Sequence, residues 1–192
     1  MTRRKLEPWR VLDSTEVFAA PPFLAVHAQR VGLPDGRAVG PYHRVVMPDY
    51  ALIFAETDDK KLLVLRQYKH GVGAVSLTFP AGTLNPGEAA ADTARRELLE
   101  ETGYAARTWR ALGSYTTHAN SRVNIAHLFV AEGCHKVAEP DSGDLEEMEL
   151  LLMTRAELFD AARRGEIMLL SQLGLLALAT HPVLAEALGG RR

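Results

Sequence analysis

Gly82-Thr-Leu-Asn-Pro-Gly87-Glu88-Ala-Ala-Ala-Asp-Thr-Ala-Arg-Arg96-Glu97-Leu98-Leu-Glu100-Glu101-Thr-Gly103-Tyr104 is the stretch that decides how this chain is read. Asn85-Pro86-Gly87 is a turn sequence, and Ala89 to Thr102 is a run of strong helix formers. Gly103 stands where a left-handed residue can end that helix. At about 100° per residue, Ala91, Ala94, Leu98 and Thr102 line one stripe able to lie on a core. Glu97, Glu100 and Glu101 gather on a neighbouring face.

That acidic face needs a physical reason. Glu97 and Glu101 are an i,i+4 pair of like charges, which repel by roughly 0.2–0.5 kcal/mol on an exposed helix. The negative end of the helix dipole worsens the repulsion. One reading is a solvated face, with Arg96 at i,i+4 to Glu100 relieving part of it. The other is a hard divalent cation, which takes carboxylate, phosphate and water oxygens.

The stretch resembles the signature of the Nudix hydrolases: Gly, five residues, Glu, seven residues, Arg-Glu, an aliphatic, any residue, Glu-Glu, any residue, Gly, an aliphatic. Gly82, Glu88, Arg96, Glu97, Leu98, Glu100, Glu101 and Gly103 fit in register, and Tyr104 departs at the last position. The resemblance implies an α/β Nudix fold, a mixed β-sheet sandwiched between helices, and hydrolysis of a diphosphate linked to a second moiety. It implies Mg²⁺, with Mn²⁺ as the alternative ion, held by Glu97 and Glu101. Glu100 would be a third ligand or the partner of the attacking water, and the Ala81 carbonyl would complete the shell. Gly82, Glu88, Arg96 and Gly103 would support the site.

Composition narrows the classes around this stretch. Among 192 residues, 47% are hydrophobic and 24% charged, as in a globular protein with one main domain. A formal net charge of -2 without a basic block argues against nucleic acid as a partner. A single cysteine, Cys134, excludes an internal disulfide and suits the cytoplasm. The basic N-terminus lacks the apolar core of a signal peptide, and the apolar segment from Ile167 to Thr180 is too short to span a bilayer.

Ahead of the signature, residues 1–10 read as polar and ragged, with Trp9 at the start of a strand. Phe23 to Val31 and Tyr42 to Met47 read as two strands around the turn Leu33-Pro-Asp-Gly-Arg37. This hairpin resembles the N-terminal element of the Nudix enzymes that cleave ADP-ribose, which implies a homodimer. Residues 1–48 are therefore assigned to a dimer-forming element, 49–188 to the Nudix domain, and 189–192 to a flexible tail. Ala51 to Ala55 and Lys61 to Arg66 predict a second hairpin, and His70 to Ser76 predicts a loop.

Arg66-Gln-Tyr-Lys69 and Pro80-Ala-Gly82 also resemble the ADP-ribose group, although Lys69 stands where that group has an arginine, losing the bidentate fork. The candidate substrate contacts are Arg44, Arg66, Lys69, Arg122 and Phe79, the last as core or as an aromatic wall. The loop Ala119-Asn-Ser-Arg122 departs from the Pro-Gly-containing loop of the group. Trp109 to Tyr115, Val123 to Ala131 and Met148 to Met153 read as strands. The acidic loop from Ala138 to Glu147 resembles the one that supplies a catalytic glutamate. It makes Glu146 the candidate general base, with Asp144 two residues before it and Glu100 or a register slip to Glu147 as alternatives. Thr154 to Glu157 is a capping-box pattern, and Ser171 is the expected cap of a last helix.

The readings that follow are hydrolysis of ADP-ribose to AMP and ribose 5-phosphate, the same chemistry on a triphosphate, GDP-sugar or dinucleotide polyphosphate, or a non-catalytic nucleotide sensor. The intact glutamate set disfavours the sensor.

Overall fold

In a computed structural model, residues 6–143 and 147–184 are described. They divide into two units, one made of the chain up to Pro48 together with Thr116–Ile125, the other of Asp49–Tyr115 and the chain from Ala126 onward.

The first unit is a three-stranded antiparallel sheet in the order β1 (Arg10–Ala20), β2 (Leu24–Gly32), β3 (Ala38–Val46). The predicted turn between β2 and β3 closes with the Leu33 N–H donating to the Arg37 carbonyl at 2.8 Å, and Gly36 takes the positive φ of 86° it needs. The expected two-stranded hairpin is thus one strand short. β1 escaped the reading because nearly all its residues are exposed, and irregularities at Val11/Asp13 and Glu16/Phe18 break its alternation. Segment 116–125 joins this unit through Met47 N–H to the Val123 carbonyl (2.9 Å) and the Tyr42 hydroxyl to the Asn120 carbonyl (2.8 Å).

The second unit holds an eight-stranded mixed sheet. Its main path runs β11 (Met148–Met153), β5 (Leu62–Lys69), β4 (Tyr50–Thr57), β10 (Ile125–Lys136), β8 (Tyr104–Ala105). On it pair β6 (Ala74–Thr78) with β5, β7 (Ala81–Thr83) with β4, and β9 (Thr108–Thr116) with β10. β4 and β10 run parallel, whereas β5 is antiparallel to β4, β6 and β11. Ala74 to Ser76, expected in a loop, are instead drawn into β6 by pairing with Lys69 to Gln67.

β4 is buried from Ala51 to Thr57, and its alternation sorts two cores. Leu52 and Phe54 pack with Val64, Leu158, Leu175 and Leu176, so α2 (Arg155–Arg163) and α3 (Leu170–Thr180) cover one face. Ala51, Ile53 and Ala55 pack with Leu63, Phe129, Ala94 and Leu98, so α1 (Ala90–Thr102) covers the other. Continuous apolar runs in the central strands follow from burial on both faces.

The capping box of α2 is present, with Thr154 and Glu157 satisfying each other's backbone N–H groups. Ser171 does not cap α3. That helix begins at Leu170 behind Leu169, two residues earlier than a Ser171 cap would start it, leaving Ser171 in the first turn.

Candidate active site

The signature helix enters from a turn in which Gly87 has φ 80° and leaves at Gly103 with φ 74°. No side chain caps its N-terminus at Ala89. The loop before it is held by Glu88, whose carboxylate accepts the Asn85 N–H at 3.0 Å and two bonds from Arg96, at 2.9 Å to Nε and 3.0 Å to Nη2. Arg96 Nη1 also donates to Glu97 (2.6 Å) and Glu100 (3.0 Å), and Nη2 to the Thr83 carbonyl (3.1 Å). All five N–H donors of the guanidinium are therefore in use. One arginine ties the turn, the strand β7 and two helix carboxylates together, which relieves the like-charge repulsion of the acidic face.

The electrostatics follow from that geometry. Hydrogen bonds from Arg96, then from the Asn85 N–H, pull the Glu88 carboxyl down to about 2. Arg96 is correspondingly held in its protonated form, foremost by Glu88.

β7 meets the helix with bare backbone. A Cβ on Gly82 would lie 1.9 Å from the carboxyl carbon of Glu97, so only glycine lets the carboxylate sit there. Glu101, 6% exposed, accepts the Ala81 N–H at 2.8 Å. Glu97 and Glu101 thus both abut Ala81-Gly82, while Glu100 is the more exposed of the three.

The oxygen donors of Glu97, Glu100, Glu101 and the neighbouring backbone suit a hard divalent ion, and the Gly82 cradle keeps the Glu97 carboxylate against the strand. Among the described residues, no three His, Cys, Asp or Glu side chains are grouped to hold an ion by themselves. An ion such as Mg²⁺ commonly takes one or two carboxylates and completes its octahedron with substrate phosphate and water, so the donor set fits.

The remaining candidates separate. Alternation along β5 puts Lys69 on the face of Leu63, towards α1, and Arg66 on the face of Leu62 and Val64, towards α2 and α3. Arg66 and Lys69 therefore do not converge. Arg66 pairs with Glu149 at 3.1 Å and lines a cavity of about 590 Å³ with Tyr68, Val75 and Glu147. Gln67 and Met148 line it as well. Phe79 is 2% exposed with its ring 5.4 Å from Phe54, so it is core rather than an aromatic wall.

Arg44 and Arg122 belong to the first unit. Arg44 is in β3, and its buried Nε has no hydrogen-bond partner among the described residues. Arg122 is exposed, with a positive φ of 42°. Asp144 and Glu146 lie outside the described residues. Sequence reading overlooked Gln172, which accepts the Phe79 N–H at 2.8 Å; its one signal was a polar residue interrupting an apolar run.

A mixed sheet between two helical layers, with an arginine-tied carboxylate helix laid against a glycine strand, is the architecture of a metal-assisted phosphoanhydride hydrolase. Residues 47–170 match the family model described as the NUDIX domain, and this chain belongs to that family of hydrolases, which generally need divalent metal ions. Residues 9–49 match the nucleoside diphosphate sugar hydrolase N-terminal domain. An ADP-ribose pyrophosphatase of Bacillus subtilis (strain 168) is 30% identical, covering 73% of this chain and 75% of that protein. An ADP-ribose pyrophosphatase of Mycobacterium tuberculosis is 30% identical over 80% of this chain and 75% of its own. A solved structure of an ADP compounds hydrolase shares the fold with a TM-score of 0.80 at 20% identity, covering 95% of this chain and 98% of that one. No helix among the described residues is long and apolar enough to cross a membrane.

Proposed function

We propose that the chain hydrolyses the diphosphate of ADP-ribose to AMP and ribose 5-phosphate with Mg²⁺. The observation that supports this reading is the pair of carboxylates at Ala81-Gly82, Glu97 bonded by Arg96 beside Gly82 and Glu101 accepting the Ala81 N–H, in a chain whose N-terminal residues match a nucleoside diphosphate sugar hydrolase element. Glu97, Glu101 and the Ala81 carbonyl would hold the ion, with Glu100 as a further ligand or as partner to the water. The ion supplies charge neutralisation on the phosphate oxygens. Glu88 and Arg96 keep the carboxylates in register, and Lys69, on the α1 side of β5, is the cation for a phosphate. Arg44 is a second candidate anion contact, because a buried N–H without a partner is costly unless a ligand satisfies it. Glu146 is the proposed general base and Asp144 its neighbour, with Glu100 and Glu147 as alternatives.

Residues 1–48 form the dimerising element in this reading and 49–188 the catalytic domain. The cytoplasm is the proposed location, which suits a chain with one free cysteine, Cys134, and so no internal disulfide.

A second reading, broad action on nucleoside diphosphate sugars, is favoured by Lys69 in place of an arginine and by the loop Ala119-Asn-Ser-Arg122. The test is kcat/KM for ADP-ribose, GDP-mannose, NADH, a dinucleotide polyphosphate and nucleoside triphosphates at one Mg²⁺ concentration, with products identified. ADP-ribose is expected to lead the triphosphates by about tenfold, which is about 1.4 kcal/mol of transition-state binding. A triphosphate ranking first by that margin would overturn the substrate class.

A further inference from the structure

Residues 79–82 carry the backbone against which the signature carboxylates rest, and they are held from both sides of the sheet. From the α1 side, Glu101 accepts the Ala81 N–H at 2.8 Å, and within the sheet β4 donates the Ile53 N–H to the Pro80 carbonyl at 2.9 Å. From the other side, Gln172 in the first turn of α3 accepts the Phe79 N–H on Oε1 at 2.8 Å. Gln172 is 6% exposed, on the helix that contributes Leu175 and Leu176 to the core.

The Phe79 N–H is buried, and such a donor must have an acceptor. A methionine would fill the same space but could not accept it well. The site has no slack to absorb the resulting shift, because even a Cβ on Gly82 would stand 1.9 Å from the Glu97 carboxyl carbon. We infer that Gln172 is a positioning residue for the carboxylate site: its amide sets residues 79–82, and through Ala81 and Gly82 it sets the geometry in which Glu97 and Glu101 take a divalent ion. This rests on the proposed metal role of those glutamates.

The test measures Mn²⁺ binding to the substrate-free, full-length protein by electron paramagnetic resonance of the free ion, alongside steady-state kinetics. Gln172→Met is expected to weaken Mn²⁺ binding by roughly tenfold and to lower kcat with little change in KM. Gln172→Glu, which keeps an acceptor oxygen on the same length of side chain, should restore binding to the parent value. Leu175→Ala removes core volume from the same helix without touching the hydrogen bond; it should lower Tm yet leave Mn²⁺ binding unchanged. If Gln172→Met does not yield folded protein, Gln172→Asn, which withdraws the acceptor by one bond, carries the same expectation. Parent-like Mn²⁺ binding in Gln172→Met, or equal weakening in Leu175→Ala, would overturn the inference. Glu97→Gln separates the two layers. If it weakens Mn²⁺ binding while Gln172→Met does not, the positioning role alone fails; if it leaves binding intact, the metal reading fails and the inference with it.

Discussion

Arg96 illustrates why residue type matters at this site. Its five donors reach Glu88, Glu97, Glu100 and the Thr83 carbonyl in one plane-sided fork, a demand that the three donors of a lysine cannot meet. The pair with Glu88 carries a pH signature. The folded protein holds the Glu88 carboxyl near 2, below its ordinary 4.5, so the charged form stabilises the fold. That contribution is fully present above pH 4.5 and disappears as pH falls towards 2. Glu88→Gln is therefore expected to melt below the parent at neutral pH, with the gap between the two Tm values closing across that acid range. A gap that stays constant down to pH 3 in thermal denaturation would contradict the assignment.

At the scale of elements, α1 is read from local chemistry and finished by a tertiary contact. Gly103 ends it with φ 74°, donating its N–H to the Leu99 carbonyl at 2.7 Å, as the sequence pattern predicts. The structure adds a second demand. A Cβ at Gly103 would stand 2.2 Å from the Ala138 carbonyl oxygen, and the Gly103 carbonyl itself accepts the N–H groups of Val137 and Ala138. Gly103→Ala combines left-handed strain with a backbone collision, and a loss of at least about 1–3 kcal/mol is expected from chemical denaturation. A variant as stable as the parent would remove the close approach from the account. The same contrast explains what was legible in the sequence. The signature turn, the helix, its stop and the Thr154 capping box are local patterns, and each appears where its chemistry predicted. β1 was not legible, because an exposed, bulged strand has no hydrophobic period. Nor was the burial of Phe79, the opposite facing of Arg66 and Lys69, or the reach of Gln172 across 93 residues to Phe79, since each depends on pairing partners far along the chain.

At the scale of the molecule, the first unit leaves much apolar surface uncovered. Val11, Val17 and Phe18 of β1, Phe23 beside it, and Val39 of β3 are all at least 43% exposed in a sheet of three strands. Scattered apolar residues on a surface are ordinary, but a run of them on one small sheet marks an interaction face. A sheet this thin also buries little of its own. The proposed occupant is a second copy of the chain, since a two-fold pairing would cover the same exposed residues on both partners. Light scattering at micromolar concentration is expected to return twice the mass of one 21.1 kDa chain. Phe18→Glu together with Phe23→Glu should shift that mass to the monomer, because each introduces a charge that an apolar interface cannot solvate. A parent protein that scatters as a monomer would refute the dimer. If the double variant stayed dimeric, the interface would have to lie elsewhere on the chain, and the apolar face of the first unit would need a different partner.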